Sequence, residues 1–434
     1  MFASLTQKFH FARAIKSRSF TFVWLGQLIS TLGDGIFFTA LSWQVLVMTG
    51  SATAMGVVLM ASVVPKLVLV LVGGALADRL PRKHIVLWSD AGRGILLLLL
   101  AIFSWMHLLQ LWQFFIQALL FGIIDGFFDP AILSLTPELV KTEDLPSANS
   151  LVSFNQIMNQ LLGPALGAIL VALFSATGAF FVDALSFFAS VGFLLCVRLP
   201  PRLREPQASL EVATDVDKAE NEPAKRQGLR GIAMDIGEGL VYVKQSPWIL
   251  ITIVAASVSN LGFIGALAVA MPKLVHDVYG QGVWMLGLIN SSTAVGSILG
   301  LALVSQASHL KRRGLLVYLS MLVSAVGIIT FGLPFPPSLA PVIAPIAAGL
   351  AGIGFSCFNT LWFTILQEKV PEEKLGRVFS IDTLGSFAMI PLADAFGGLA
   401  ADRFGPAFVC VLTGLLTFVI NGFALFRREI RQLE

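Results

Sequence analysis

The chain alternates between long apolar stretches and short polar connections. A helix needs roughly 20 apolar residues to cross a bilayer, and twelve stretches reach about that length. We number them spans 1 to 12 and predict them at 20–48, 53–77, 84–105, 111–136, 146–175, 177–197, 247–271, 283–307, 314–333, 339–366, 373–401 and 405–426. No charged residue lies between 145 and 182, which is too long for one helix, so Ser175 to Gly178 is predicted to form a tight hairpin. The pattern predicts an all-α membrane protein with twelve transmembrane helices.

Composition supports this class and argues against others. Of the 434 residues, 56% are hydrophobic and 13% are charged, whereas soluble domains carry about 25% charged residues. The three cysteines are isolated in apolar spans and the five histidines are scattered. No His-Glu-x-x-His, Gly-x-Ser-x-Gly or Gly-x-x-x-x-Gly-Lys pattern occurs, so nothing indicates an intramembrane enzyme or a nucleotide-driven pump. We expect no cofactor, no metal and no nucleic-acid partner.

Lysine and arginine set the predicted orientation, because they concentrate in the cytoplasmic loops of membrane proteins. Most of the 29 lie at the termini, between the two halves of the chain, or after even-numbered spans. Lys273 and Arg403 are predicted on the opposite side, while Lys66 and Arg93 lie within spans. We therefore predict a protein of a bacterial-type inner (plasma) membrane with both termini in the cytoplasm. We expect it to be a monomer surrounded by membrane lipids.

One long hydrophilic segment, 199–246, separates two predicted domains at 1–198 and 247–434. Its first part is rich in Pro, Glu, Asp, Lys and Ala and is predicted to be disordered. From Leu229 to Val243, apolar residues recur at helical spacing opposite charged ones. This pattern predicts either an amphipathic helix on the cytoplasmic membrane surface or an ordinary solvated linker helix.

The two predicted domains repeat each other. Three pairs of segments share an offset of about 230 residues: Ser30–Gly33 with Ser259–Gly262, Glu138–Leu145 with Glu368–Leu375, and Gly56 with Gly287. A constant offset at well-separated places indicates a duplication of six spans. The predicted fold is therefore two pseudo-symmetric six-helix bundles.

Several short motifs follow one another in a recognisable order. They are Ser19–Ser30, Leu32-Gly33-Asp34, Thr49–Ala54, Gly74-x-Leu-Ala-Asp78-Arg79 with Arg82-Lys83, Asp90-x-x-Arg93, Gly163–Gly167 and Gly376–Ser380. In this order the chain resembles the major facilitator superfamily over essentially its whole length. It is closest in pattern to the drug-efflux branch that holds macrolide exporters and enterobactin-exporter-like proteins. One departure is Pro81, where the superfamily loop usually has Gly.

The resemblance implies a function in transport. It implies a secondary exporter of amphipathic small molecules, drug-like or macrolide-like, driven by proton antiport and alternating access. The alternatives on the same scaffold are a siderophore exporter and a lysophospholipid flippase, and Lys66 favours an anionic headgroup. A non-transporting receptor or scaffold is a further class, which the long central linker leaves open.

Two charged residues are predicted near the middle of the bilayer. Asp34 lies ~20 Å from the cytoplasmic start of span 1, and Lys66 lies ~20 Å from the outer start of span 2, at a rise of ~1.5 Å per residue. A charge at this depth costs roughly 2.5–3.5 kcal/mol on insertion scales, so it needs a partner or a task. One interpretation is a structural ion pair. The other is that Asp34 binds a proton or a cationic substrate, with Lys66 as its competing counter-charge.

Asp125 is a second candidate for proton binding. It lies four residues before Asp129 and shares its helix face. Two like charges close together favour protonation of one of them.

A further group of charges is predicted in the cytoplasmic third of the bundle. Its members are Asp78, Arg79, Arg82, Asp90, Arg93, Asp129 and Asp382. Exposed ion pairs are weak, but a shielded cluster that must break gives a bistable gate, and in the superfamily the matching loop residues latch the two halves. Asp78 is expected to face the beginning of span 11, where the helix dipole favours an anion. The alternative is that these charges only anchor loops.

Three acids near the outer ends of spans receive simpler interpretations. Asp183 and Asp394 are expected to be caps or outer-gate residues. The segment Gly398–Gly405 looks like a second copy of the loop motif. Because the topology places it outside, we expect it to cap span 11 and turn the chain rather than to form a second cytoplasmic latch.

Overall fold

A computed structural model describes residues 10–77, 80–197, 239–306, 312–387 and 389–431. Asp78 and Arg79 of the predicted gate lie outside these residues, as does most of the predicted amphipathic helix at 229–243. Within the described part of the chain all regular secondary structure is helical.

The first half begins with a short 3₁₀ turn, His10–Lys16, and continues with long apolar helices. They are α1 (Arg18–Thr49), α2 (Ala52–Ala77), α3 (Arg82–Trp105), α4 (Leu111–Leu139) and the segment Leu145–Cys196. Ser17 caps α1, because its side chain accepts a hydrogen bond from the Phe20 amide. Gly50 ends α1 in the left-handed conformation, with φ of 64°, where a residue without Cβ is favoured.

The segment Leu145–Cys196 is two helices, α5 (145–174) and α6 (176–196). Ser175 has φ of 60° and breaks the helix there. The chain then reverses, since α5 contacts Trp24 of α1 through Leu151, while the later Ser190 of α6 also packs near the beginning of α1, at Gly26. The hairpin predicted at Ser175 to Gly178 is confirmed.

The second half contains α7 to α12, and two of its helices are irregular. Its members are α7 (Pro247–Val278), α8 (Val283–Gln306), α9 (Arg313–Phe331), α10 (Ala340–Lys369), α11 (Glu372–Phe387 and Ile390–Phe404) and α12 (Pro406–Leu425). Two π-helical stretches, Leu261–Ala266 and Leu274–Val278, interrupt α7. Because the second stretch continues the helix, α7 is longer than the predicted span 7.

The described residues contain 11 helical stretches long and apolar enough to cross a membrane. The stretch Thr142–Cys196 is one of them and crosses twice because of the reversal at Ser175. The twelve predicted crossings are therefore present. Where helices end, predicted and observed bounds agree within about three residues, apart from the extension of α7.

Among the described residues, the helices of the two halves pack together most closely at one end of the molecule. We call the end where α1 begins and α12 finishes the terminal face, and the opposite end the distal face. Toward the terminal face each half has its own apolar cluster, around Leu135 in the first half and Tyr318 in the second. Toward the distal face one cluster unites both halves, since Val269 and Ala401 pack with Ala52 and Met55.

Helices α2 and α11 form the closest part of this shared region, which we call the distal seam. A Cβ atom added at Gly56 would overlap the Asp394 carbonyl, and one added at Gly398 would overlap the Ala52 carbonyl. The two backbones are therefore in direct contact, which only glycine permits at these positions. The described end of the linker, 239–245, is helical and packs Val243 against the second half beside Ile249.

Candidate functional site

A buried arginine organises the centre of the first half. Arg93 of α3 is 6% exposed, and its guanidinium contacts Asp90 at 2.5 Å and Asp125 at 3.3 Å. The rings of Phe128 and Phe187 flank it, with centroids 4.0 Å and 4.7 Å from the guanidinium carbon. A charge buried among aromatic rings must be paired, and the two carboxylates provide this pairing.

Asp90 is held by three different helices. Its side chain is completely buried, and besides Arg93 it accepts hydrogen bonds from Ser190 Oγ at 2.7 Å and Gln27 Nε2 at 3.3 Å. These donors come from α6 and α1. Asp90 therefore ties α1 and α6 to α3.

Asp125 extends this pairing toward the outside of the cluster. Its other oxygen lies 4.0 Å from Lys66 Nζ, and Lys66 lies 2.8 Å from Asp129. The sequence of contacts Asp90–Arg93–Asp125–Lys66–Asp129 forms what we call the charge chain. Its inner end is buried, whereas the Lys66 and Asp129 side chains are 40% and 38% exposed.

Asp34 lies in the field of the charge chain without joining it. It is half-buried, and it has no hydrogen-bond or ion-pair partner among the described residues. The charges of Arg93, Asp125, Asp90 and Lys66 all act on it. Three carboxylates of the charge chain share two cations, so Asp34 adds a further negative charge that no cation is left to balance.

The predicted ion pair between Asp34 and Lys66 is wrong. Lys66 contacts acids of α4 instead. The reason is the packing of α4, where a Cβ added at Gly126 would lie 3.4 Å from the Lys66 carbonyl. Because Gly126 lets α4 approach α2 at that level, Asp125 and Asp129 are the acids that Lys66 reaches.

Two cavities adjoin the charge chain in the half of the molecule toward the terminal face. One, of about 370 Å³, is lined by α1, α4 and α5 and includes Asp129, Gln27, Thr31 and Asn155. The other, of about 650 Å³, separates α2 from α11 and includes Lys66. The second cavity continues the distal seam, so α2 and α11 touch near the distal face and diverge toward the terminal face.

The distal face is closed by contacts between the halves. Asp402 of α11 accepts hydrogen bonds from the start of α2 and pairs with Lys273 of α7. Ser291 of α8 donates to the Leu161 carbonyl of α5 at 2.9 Å. Among the described residues, the halves are thus in contact at the distal face, while a cavity separates α2 from α11 toward the terminal face.

A family model described as the Major Facilitator Superfamily matches residues 23–394. The chain belongs to this superfamily. It is therefore a membrane transporter and not an enzyme, and the predicted family and fold are confirmed.

Relatives of the facilitator include named exporters. It is 27% identical over 417 residues to the MFS-type transporter YfiS of Bacillus subtilis, covering 94% of this chain and 92% of the relative. It is 23% identical to macrolide efflux protein A of Streptococcus pyogenes, covering 95% and 96%. It is 26% identical to the enterobactin exporter EntS of Citrobacter koseri, covering 94% and 89%.

Solved structures share the fold of the facilitator. A point mutant of the nucleoside transporter NupG has a TM-score of 0.69 at 12% identity, and the match covers 94% of this chain and 100% of the transporter. A bacterial homologue of the iron transporter ferroportin has a TM-score of 0.67 at 16% identity and covers 94% and 99%. At such identities the likeness concerns the fold alone.

The structure divides the predicted gate of the facilitator into separate groups. Asp90, Arg93 and Asp129 belong to the charge chain. Arg82 pairs with Glu138 at 2.9 Å and donates to the Ser134 carbonyl, which ties α3 to the end of α4. Asp382 is 4% exposed in the second half and accepts a hydrogen bond from Trp362 at 3.1 Å. Whether these groups act as a gate stays a prediction.

Two acids of the facilitator lie in places that their sequence positions do not indicate. The sequence predicts Asp183 near the outer end of α6, but it is fully buried and packs against Gly33 at the middle of α1. Asp394 is predicted as a cap or an outer-gate residue, and it is 3% exposed within the distal seam, where it contacts α2 rather than capping its own helix. One oxygen of each has no hydrogen-bond partner among the described residues. The close packing of α6 against α1 and of α11 against α2, which the spacing of charges does not reveal, accounts for both.

Three partners of the site are missed by sequence reasoning. Ser190 lies in no motif, and Glu138 lies in a repeated segment that does not indicate its pairing with Arg82. Ser51 lies in a motif that carries the family resemblance, and its role as a partner of Asp402 needs the contact between the halves. Among the described residues, no group of three or more His, Cys, Asp or Glu could hold a metal ion.

Proposed function

We propose that this facilitator is a secondary active exporter of amphipathic small molecules that works by proton antiport and alternating access. One observation carries the proposal: the charge chain and Asp34 hold more carboxylates than cations, beside two cavities in the half of the molecule toward the terminal face. An excess carboxylate at this depth is costly unless a proton or a cation neutralises it. The site therefore suits a ligand that alternates with a proton.

Asp34 and Asp125 are the proposed proton sites. Asp34 has no fixed counter-ion, while Asp125 is shared between Arg93 and Lys66. A proton on either carboxylate leaves the surrounding cations less fully balanced. Arrival or departure of a proton thereby changes which partner Lys66 and Arg93 hold most strongly.

The terminal face is proposed to be cytoplasmic. The distribution of Lys and Arg along the sequence supports this orientation. The structure then represents a state open to the cytoplasm, in which substrate enters, and opening of the distal seam releases it outside. Asp78 and Arg79 are proposed to help close the cytoplasmic side in the opposite state.

The proposed substrates are amphipathic, and two observations support this. Polar Gln27, Thr31 and Asn155 share the smaller cavity with the rings of Phe20 and Phe128. Relatives are named for export of a macrolide and of enterobactin. Both names fit a large molecule with separate polar and apolar faces.

The test uses the purified protein in liposomes with an imposed pH gradient. The probes are radiolabelled erythromycin and, separately, iron-free enterobactin. Uphill movement of either probe against proton flow, abolished by a protonophore, is the expected result. Equal movement with and without the gradient would contradict proton antiport, and failure of both probes to move would contradict the proposed substrate class.

A further inference from the structure

Asp402, at the end of α11, binds the beginning of α2 in the other half of the protein. Its Oδ1 accepts a hydrogen bond from the Ala52 amide at 2.8 Å, and its Oδ2 accepts one from the Thr53 amide at 2.9 Å. The hydroxyl groups of Ser51 and Thr53 donate to Oδ2 at 2.6 Å and 2.7 Å. One carboxylate thus receives four hydrogen bonds across the interface between the halves.

These contacts are those of a helix cap. The first amides of a helix have no partner within the helix, and a nearby carboxylate also interacts favourably with the helix dipole. Ser51 supplies part of the cap in the usual way, because its Oγ accepts from the Ala54 amide at 3.2 Å. The rest of the cap of α2 comes from α11.

A lysine completes the arrangement. Lys273 Nζ lies 2.9 Å from Asp402 Oδ1 and donates to the Gly50 carbonyl at 2.6 Å. Lys273 belongs to the second half and Gly50 to the first, so this contact also crosses the interface. The Lys273 side chain is 14% exposed and Asp402 is 24% exposed, which shields the pair from water more than an ordinary surface ion pair.

The sequence around Asp402 occurs at a second place in the chain. Gly397-Gly398-Leu-Ala-Ala-Asp402-Arg403 matches Gly73-Gly74-Ala-Leu-Ala-Asp78-Arg79 in its glycines, last alanine, acid and arginine. The first segment ends α11 at the distal face, and Gly73 to Ala77 of the second are the last described residues of α2, toward the terminal face. The two antiparallel helices of the seam therefore share a sequence pattern that begins near opposite ends.

The structure assigns Asp402 a function different from the one expected from sequence. The chain does turn after it, at Gly405 with φ of 91°, but Asp402 caps α2 and not its own helix. We propose that Asp402 is the positioning residue that holds the distal face closed, by capping α2 only while the two halves are together. This inference rests on the proposed alternating access, since it names the contact that must break when the distal face opens.

Breaking this contact exposes groups that water can then satisfy. When α11 moves away, the amides of Ala52 and Thr53 and the Asp402 carboxylate all become hydrated. The contact is therefore reversible and favours one state without preventing the other. It also breaks as a unit, because the donors share a single carboxylate, and this makes the closed state distinct from partly open ones.

The experiment measures access to both faces in one protein. Cys196, Cys357 and Cys410 are replaced by Ala, and one reporter is added: Ala165→Cys, on α5 where α8 packs, or Thr136→Cys, in the cavity toward the terminal face. A membrane-impermeant maleimide is applied from each side of oriented vesicles. Asp402→Asn should raise distal labelling of the first reporter and lower terminal labelling of the second, so that the ratio of the two rates changes about tenfold, equivalent to about 1.4 kcal/mol in the equilibrium.

Opposite changes at the two reporters separate a shifted equilibrium from a loosened structure. Labelling that rises at both reporters, or changes at neither, would overturn the proposal. The matched control is Asp277→Asn, because Asp277 also lies 3.7 Å from Lys273 but within the same half, and it should alter neither reporter. Asp402→Glu keeps the charge and should restore most of the original labelling.

One further double variant guards against a failure to fold. Ser51→Ala with Thr53→Ala removes the two hydroxyl donors while leaving Asp402 in place, and it should shift labelling in the same direction by a smaller factor. The readout requires neither substrate nor proton gradient. A shift in labelling without any proton-driven efflux would support the role of Asp402 and contradict the proposed function. Proton-driven efflux without a shift in labelling would support the proposed function and contradict the role of Asp402.

Discussion

Lys66 of α2 is paired with Asp129 of α4 at 2.8 Å and not with Asp34 of α1. This places the lysine at the exposed end of the charge chain and leaves Asp34 without a cation of its own. The two residues therefore have different surroundings, although their predicted depths are the same. Lys66 neutralises acids of α4, and we propose that Asp34 binds a proton.

Replacement of Asp34 by Asn should abolish pH-gradient-driven efflux while leaving membrane insertion unchanged. The amide preserves the shape of the side chain but neither binds a proton nor balances a cation. Accumulation of erythromycin inside energised everted vesicles, whose lumen corresponds to the outside of the cell, measures the effect. Glu143→Gln, at a 70% exposed carboxylate near the terminal face, is the control and should retain efflux. Undiminished coupled efflux in the Asp34 variant would exclude this residue as the coupling site.

Replacement of Arg93 by Met should destabilise the protein, because Asp90 then has no cation in a buried site. Removing one partner of a buried pair costs about 3–5 kcal/mol. The melting temperature in detergent should fall clearly. The double variant Arg93→Met with Asp90→Asn should recover much of the loss, since neither charge is then left unpaired. If the double variant is no more stable than Arg93→Met alone, the unpaired charge of Asp90 is not the reason for the loss of stability.

Replacement of Gly398 by Val should prevent the distal seam from closing. A Cβ at this position would overlap the Ala52 carbonyl, so the state open to the distal face should become more populated. The neighbouring Gly397 has open space at the same point, and Gly397→Val is therefore the matched control. Distal labelling of Ala165→Cys should increase only in the Gly398 variant, and equal labelling in both would argue against close packing of the seam.

Replacement of Asp78 by Asn should favour states open to the cytoplasm, as the resemblance of its motif implies. This shift in population is opposite to the one expected for Asp402→Asn. Labelling of Thr136→Cys from the terminal face measures the shift and should increase. Unchanged labelling of the reporters at both faces would show that Asp78 is not part of the gate.

The fold follows from the sequence because each crossing has a simple signal, namely about 20 apolar residues between polar ends. Even the turn at Ser175 is predictable, since one uncharged stretch is too long for one helix. The predicted helix bounds also agree with the observed ones where a charge or a proline marks a helix boundary, as at the beginnings of α7 (Pro247) and α12 (Pro406). The extension of α7 through π-helical turns has no such mark, and sequence reasoning misses it.

The sequence predicts which charged residues belong to the candidate site, but not which of them form ion pairs. A charged residue far from the ends of an apolar span can be recognised from the sequence. The candidates found in this way are Asp34, Lys66, Asp90, Arg93 and Asp125. Which charges meet depends on how closely two helices approach, and that is decided by glycines such as Gly126 on the partner helix. Contacts between the halves, such as that of Asp402 with α2, depend on the state of the transporter and have no signal in local sequence.

Gly35 of α1 lies against Gly163 of α5, and Gly33 lies against Asp183 and Ser186 of α6. Helix α1 is therefore fixed on one side by a parallel neighbour and on the other by an antiparallel one, with no room for side chains to slide between them. Asp34 cannot change its surroundings through a shift of α1 alone. On the proposed alternating access, exposure of Asp34 to the other side of the membrane therefore requires α1, α5 and α6 to move together as one rigid body.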